Sequence, residues 1–431
     1  MDILRLRSGG RAELSGISEQ MSHHASRVIA RCRELAQITD VAGETTRTFL
    51  SPAMRRCMET VQSWMETAGM QVRVDTAGNL RAIRAGAHPY SARLVIGSHL
   101  DTVPNAGAFD GVLGVVLGLA LIELLDGEKL SCAVEVMAFS EEEGVRFRVP
   151  FIGSRALVGR VDEELLSTTD ADGVSVRQAI VKFGLDPSKI SRAALDESAK
   201  AYLEFHIEQG PVLESEGLSL GVVEAIVGQT RGEMRFLGSA NHAGTTPMHL
   251  RCDAVAAAAE WIGEVERLAL VTKGLVATVG RVTSLPGAGN VIAGEVKASL
   301  DVRHAEDGVR SAAMKDLIAA AHSIAHERGL QAEWQLQMEQ SAVAMDMHLT
   351  KMVEDAVGDV GVIPYRMTSG AGHDAMVIAE RLPSAMIFLR SPGGVSHHPD
   401  EAVRQEDVAH TLAAGLEFVR KFDEMVTTTH A

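Results

Sequence analysis

Apolar residues recur at three- and four-residue spacing over residues 26 to 37 and again over 53 to 68, which places them on one face of a helix. Ser51-Pro52 before the second stretch reads as an N-cap followed by a first-turn proline, and Gly69 after it as a C-cap glycine. The pattern then changes to short apolar runs at Gln71 to Val74, Leu80 to Ile83, Leu94 to Gly97 and Ala133 to Phe139, which read as strands, with a helix at 111 to 125 between the last two. Strand and helix alternating in this way predict an α/β sheet with a parallel portion. Residues 1 to 22 carry no sustained period and read as a loose tail.

After Gly221 the alternation starts again, with a strand at 232 to 237, an Ala-rich helix at 250 to 269, strands at 275 to 282 and 295 to 303, a helix at 306 to 328 and a strand at 331 to 338. That order, βαββαβ, is the ferredoxin-like split pattern. Helix at 346 to 358, strand at 385 to 389 and helix at 404 to 425 then supply what the first sheet still lacks. The expectation is an inserted domain at 224–339 within one discontinuous domain made of 23–223 and 340–431.

Composition narrows the function. With 41 Lys+Arg against 57 Asp+Glu the formal net charge is −16, which argues against nucleic acid or an anionic membrane surface as partner. Four cysteines without a C-x-x-C are too few and too irregular for a disulfide framework or a thiolate zinc site, so a reducing, cytoplasmic setting is expected. The longest apolar stretch, Val112 to Leu125, is interrupted by Glu123 and falls short of the ~20 residues a membrane span needs. Sixteen histidines beside those cysteines mean that a bound metal would be held by imidazole and carboxylate.

Such residues gather at the ends of apolar strands, where open α/β sheets bind ligands. GSHLDTV places His99 and Asp101 after one strand, and spacing of two lets Asp101 accept from His99 and fix its tautomer. FDGVLG places Asp110 before the helix at 111 to 125, where an aspartate is first of all an N-cap. FSEEEGVRF crowds Glu141, Glu142 and Glu143 at a strand tip, a cost that a cation would relieve, leaving one glutamate to ligate and another to act as base. FHIEQGPVLE offers His206, Glu208 and Gln209, and SPGGVSHHPDE offers His397 and His398, of which an extended chain turns only one to a common site. Two constellations carry less. HSIAH (His322, His326) lacks the glutamate of H-E-x-x-H, and Ser369, His373 and Asp374 share one loop without a G-x-S-x-G elbow. In the inserted unit, His242 lies in GSANHAGTTPM, Asn290 in NVI, and Arg303 at a strand end, where it suits either a substrate carboxylate or an ion pair with Asp301 or Glu295.

GSHLDTV, FDGVLG, EEGVRF, HIEQGPVLE, GSANHAGTTPM, NVIAGEV and SHHPDE, in this order over roughly residues 26 to 425, resemble the hydantoinase/carbamoylase amidase branch of the M20 metallopeptidase superfamily. The resemblance implies a mixed-sheet α/β catalytic domain with two divalent ions, Zn²⁺ or Mn²⁺ with Co²⁺ or Ni²⁺ as alternatives, and a ferredoxin-like lid and dimerisation domain. It implies His99, Asp110 and His206 around one ion and Asp110, Glu143 and His397 around the other. Glu142 falls at the base position, with Glu141 the one-residue alternative, and His398 is the alternative to His397. Asp101 supports His99, His242 steadies the oxyanion in a neighbouring subunit, and Gln209, Asn290 and Arg303 hold the substrate. The implied reaction is hydrolysis of small anionic ureido acids, most readily N-carbamoyl-L-amino acids, with allantoate, 3-ureidopropionate, dipeptide cleavage and a non-catalytic binding protein as rivals.

Overall fold

The structure, a computed structural model, describes residues 19–429. Of the expected loose tail, residues 1–18 lie outside the described residues, and 19–22 are helical. The helix Glu19–Ala36 starts there because Met21 extends the apolar face of Ala25, Val28, Cys32 and Leu35 that packs into the core. The described residues divide into two compact units, one of residues 19–224, 345–367 and 373–429 and one of residues 225–344 and 368–372.

The first unit is built on a mixed sheet whose strands run in the order Gln71–Val74, Leu80–Arg84, Ala133–Phe139, Arg93–His99, Ala199–Ile207, Ser384–Leu389 and Leu220–Ile226. Arg93–His99 is parallel to both Ala133–Phe139 and Ala199–Ile207, and Ser384–Leu389 is parallel to Ala199–Ile207. The flanking strands Leu80–Arg84 and Leu220–Ile226 run antiparallel to this centre. Parallel strands at the centre are covered on both faces, which is why Arg93–His99 and Ala133–Phe139 are buried along their whole length. The helix Val112–Leu124 is apolar all round and buried from Val112 to Ile122, as a helix in the middle of a core must be. One consequence places the site: the carboxyl ends of four central strands, at His99, Phe139, Ile207 and Leu389, open at the same edge of the sheet. All four cysteines are free. Among the described residues no helix is long and apolar enough to cross a membrane.

The second unit is an antiparallel sheet in the order Val282–Leu285, Glu295–His304, Gly228–Leu237 and Gln331–Gln340, with the short strand Val276–Thr278 also paired to Glu295–His304. Burial alternates residue by residue along Glu295–His304, so one face carries the core. The helices Ala254–Val271 and Asp307–Glu327 supply the covering layer, tied together where the buried Trp261 indole donates to the Leu317 carbonyl at 2.8 Å.

Candidate metal centre

Segments at the carboxyl ends of the four central strands of the first unit converge around Asp110. The helix after it begins at Val112 with Gly111 in the cap position, at φ +65° and without a side-chain cap. Asp110 is therefore not the N-cap that its position predicts. Gly111 takes the turn because a Cβ there would run into the His99 ring, and this frees the aspartate side chain to face the histidines. Its Oδ1 lies 3.1 Å from Nε2 of His206 and 3.9 Å from Nε2 of His99, and its Oδ2 lies 3.1 Å from Nε2 of His397.

The tautomers follow from the far side of each ring. Nδ1 of His99 sits 3.0 Å from the Asp101 carbonyl oxygen and Nδ1 of His206 sits 2.9 Å from the Ile207 carbonyl oxygen. A carbonyl only accepts, so each Nδ1 carries a proton; in the neutral ring Nε2 then presents a lone pair toward the Asp110 carboxylate. Without a metal ion a second proton on Nε2 takes that place, which is why, although burial acts downward on it, the pKa of His206 is raised by contact with Asp110. Lone pairs facing a carboxylate oxygen repel unless a cation stands between them. Nε2 of His206 and Oδ1 of Asp110 are both buried without a hydrogen-bond partner. The described residues contain three groupings whose candidate ligand atoms all lie within 4.8 Å of one another: His99, Asp110, His206; His99, Glu142, Glu143; and Asp110, Glu143, His397. Two of them share Asp110, so these residues fit a pair of divalent cations bridged by that aspartate.

The electrostatics carry the same message. Burial pushes the carboxyl of Glu142 well above its usual range, and burial and then Asp110 push that of Glu143 up to about 7. The hydrogen bond to Asp110 raises His397 to about 9. Burial acts upward on Asp110 too, yet contact with His206 and His397 takes it well below the usual carboxylate range. In the absence of metal, protons do what the cations would do.

The sequence expectations land unevenly. Asp101 holds more than His99: its carboxylate accepts from the main-chain N–H of Glu142 at 3.0 Å and of Glu143 at 3.0 Å, and lies 3.4 Å from Nδ1 of His99, whose closer partner is the Asp101 carbonyl. Glu141 folds back to accept from Gly144 N–H at 2.6 Å, whereas Glu142 and Glu143 join the ligand groupings. His397 is in the cluster, and His398 is exposed beside Asp400. Gln209, at φ +59°, donates from its amide to Oδ2 of Asp110 at 3.1 Å, while Glu208 accepts from Val212 and Leu213 N–H and shapes the turn. His242, Asn290 and Arg303 lie in the second unit, where His242 and Asn290 are exposed. The Arg303 fork donates to Asp301 at 3.0 and 2.8 Å, the ion pair its position at a strand end allows. His322 and His326 are exposed, and Ser369 donates to the Ala371 carbonyl.

Two buried residues, Glu204 and Glu401, escaped the sequence reading, and a third, His373, figures there only as a member of a Ser-His-Asp set in one loop. Glu204 accepts from Ser98 Oγ at 3.1 Å, Tyr202 OH at 3.1 Å and Ala375 N–H at 2.8 Å. The ring of His373 lies 4.4 Å from that of His206, and burial holds its imidazole neutral by driving its pKa well below the ordinary value. Glu401 accepts from the main chain beside Asp110. For Glu204 the signal was present: a carboxylate inside the apolar strand Ala199–Ile207, two residues from His206 and hence on its face.

Residues 95–421 match the model of peptidase family M20/M25/M40. An N-carbamoyl-L-amino acid amidohydrolase of Geobacillus stearothermophilus is 39% identical over 387 residues, covering 89% of this chain and 95% of that protein. Allantoate deiminase 2 of Glycine max is 37% identical, covering 91% and 88% respectively. A crystal structure of an amidase of the hydantoinase/carbamoylase family from Burkholderia multivorans superposes with a TM-score of 0.87 at 32% identity, covering 92% of this chain and 97% of that one.

Proposed function

The chain belongs to peptidase family M20/M25/M40, in its hydantoinase/carbamoylase branch, and on that premise we propose that it hydrolyses the carbamoyl C–N bond of N-carbamoyl-L-amino acids, releasing the amino acid, ammonia and carbon dioxide. Membership makes it a metal-binding hydrolase of C–N bonds; the choice of substrate is the proposal. The observation that carries the hydrolytic reading is the sharing of Asp110 by two ligand groupings with the Glu142 carboxylate alongside, and the similarity to the Geobacillus stearothermophilus amidohydrolase favours an N-carbamoyl-L-amino acid as substrate.

Two divalent cations held by His99, Asp110, Glu143, His206 and His397 would acidify a water and polarise the ureido carbonyl. Glu142 takes a proton from the attacking water and returns it to the departing nitrogen. Asp101, by holding the N–H groups of Glu142 and Glu143, keeps base and ligand in register. Gln209, already turned onto Asp110, and Asn290 meet the substrate amide. Arg303 takes the substrate carboxylate by exchanging it for Asp301. Residues 224–339 act as a lid and dimerisation domain, with His242 serving the site of a second copy of the chain; the βαββαβ order and the antiparallel sheet support a ferredoxin-like reading of that unit. Allantoate is the second reading, favoured by the similarity to the soybean allantoate deiminase.

The test is ammonia release from N-carbamoyl-L-amino acids, allantoate and 3-ureidopropionate, measured side by side on metal-reconstituted protein. The fastest turnover is expected with an N-carbamoyl-L-amino acid, lost on chelation and restored by adding back divalent metal. Faster release from allantoate transfers the assignment to the second reading, and dipeptide cleavage without ammonia release would sink both.

A further inference from the structure

We infer that Glu401 is a positioning residue that ties together the two irregular loops carrying Asp110 and His397, and so sets the occupancy of the ion those residues share with Glu143. The inference rests on the dinuclear reading above. Glu401 is 6% exposed, and its Oε1 accepts from the N–H of Phe109 at 2.7 Å and of Asp110 at 2.9 Å. Its own N–H donates to the His398 carbonyl at 3.1 Å, closing the turn that follows His397. Glu401 thereby joins the main chain of one ligand to the segment of another across 291 positions of sequence.

The surroundings are shaped to this contact. Any side chain at Gly107 would strike Glu401, its Cβ coming within 2.8 Å of the carboxyl carbon, so the loop can close on the carboxylate only with glycine there. His99 and His206 sit on central strands and inherit their rigidity from the sheet. Neither Asp110 nor His397 lies in a helix or strand, and His397 holds a left-handed backbone at φ +55°. The ion bound by Asp110, Glu143 and His397 is thus the one that depends on the tie, while the ion bound by His99 and His206 keeps its sheet-borne ligands.

Because the contact needs an acceptor and not a charge, Glu401→Gln retains it and Glu401→Ala does not. Metal content after dialysis at limiting Co²⁺, together with the cobalt absorption spectrum on titration, reads the outcome without reference to turnover. Wild type and E401Q should bind two ions per chain, and E401A should bind its second ion ~10–100-fold more weakly, the range seen when outer-shell partners are removed. Gly107→Ala, which pushes the carboxylate aside from the opposite direction, should copy E401A and decides the matter if E401A does not fold. Unchanged second-ion affinity in the folded E401A or G107A variant, or an E401Q as weak as E401A, would overturn the inference while leaving the dinuclear reading intact. A wild type that takes up no second ion sinks that reading and this one with it.

Discussion

Glu141, Glu142 and Glu143 are chemically identical, and the main chain gives them different work. Gly144 N–H occupies Glu141, and Asp101 holds the N–H groups of the next two so that their carboxylates turn toward His99 and Asp110. The sequence supplied the residue types but not this register, because register depends on which N–H groups Asp101 captures 41 and 42 positions away. Arg303 failed to declare itself for a similar reason: an arginine at a strand end pairs with whichever carboxylate the pleat sets beside it, here Asp301. If Glu142 is the base, Glu142→Gln should keep both metal ions and lose ~10²–10⁴-fold in kcat, the usual contribution of a general base. Metal analysis and steady-state rates on the same preparation check it. Turnover within about tenfold of wild type would place the base elsewhere.

Elements were legible where burial enforces a period. The strands Arg93–His99, Ala133–Phe139 and Ser384–Leu389 are buried along their length because both faces are covered, and their mostly apolar composition makes that visible in one dimension. The tie made by Glu401 was not, since a glutamate in a His- and Pro-containing loop has no pattern that announces its partner. The helix Val112–Leu124 lies between these cases. Its glycines predict close packing on the sheet, and a Cβ at Gly114 would meet the Phe205 carbonyl oxygen and come within 2.6 Å of the Ser98 Cβ, whereas at Gly118 it would meet only the side chains of Val136 and Ile96, at 3.1 and 3.2 Å. Helix propensity favours alanine over glycine by ~1 kcal/mol. A clash with backbone costs ~1–3 kcal/mol and cannot be relieved by a rotamer change. Gly114→Ala should therefore destabilise the protein despite its better propensity, and Gly118→Ala should be near neutral, as read from urea midpoints. Equal midpoints for the two variants would refute the packing argument.

At the scale of the whole molecule the charge of −16 conceals an uneven distribution, because a cluster of carboxylates lies buried around one point. In chelated protein Glu143 and Glu401 are each pushed up by burial and then Asp110 to about 7 from an ordinary 4.5, and His397 is raised to about 9 from 6.5 by its hydrogen bond to Asp110. A raised pKa means that the folded state holds a proton the unfolded chain releases first, so the stability these groups contribute is present at low pH and lost as pH rises. The window is about pH 4.5 to 7 for the carboxyls and 6.5 to 9 for His397. Asp110 and His373 have the opposite sign, but the depressed pKa of Asp110 matters only below 3.8 and that of His373 only below 6.5, where it offsets part of the trend. The Tm of the chelated protein should thus fall between pH 5.5 and 8.5. Divalent metal displaces those protons, so the rise in Tm on adding Zn²⁺ or Mn²⁺ should grow over the same interval. Calorimetric titration in buffers of different ionisation enthalpy should show net proton release. Taking the difference between metal-loaded and chelated protein at each pH cancels titration elsewhere in the chain, including that of the many surface carboxylates. A metal-induced shift in Tm that stays constant from pH 5.5 to 8.5, with no protons released, would mean that the buried carboxylates and His397 do not bind the ions.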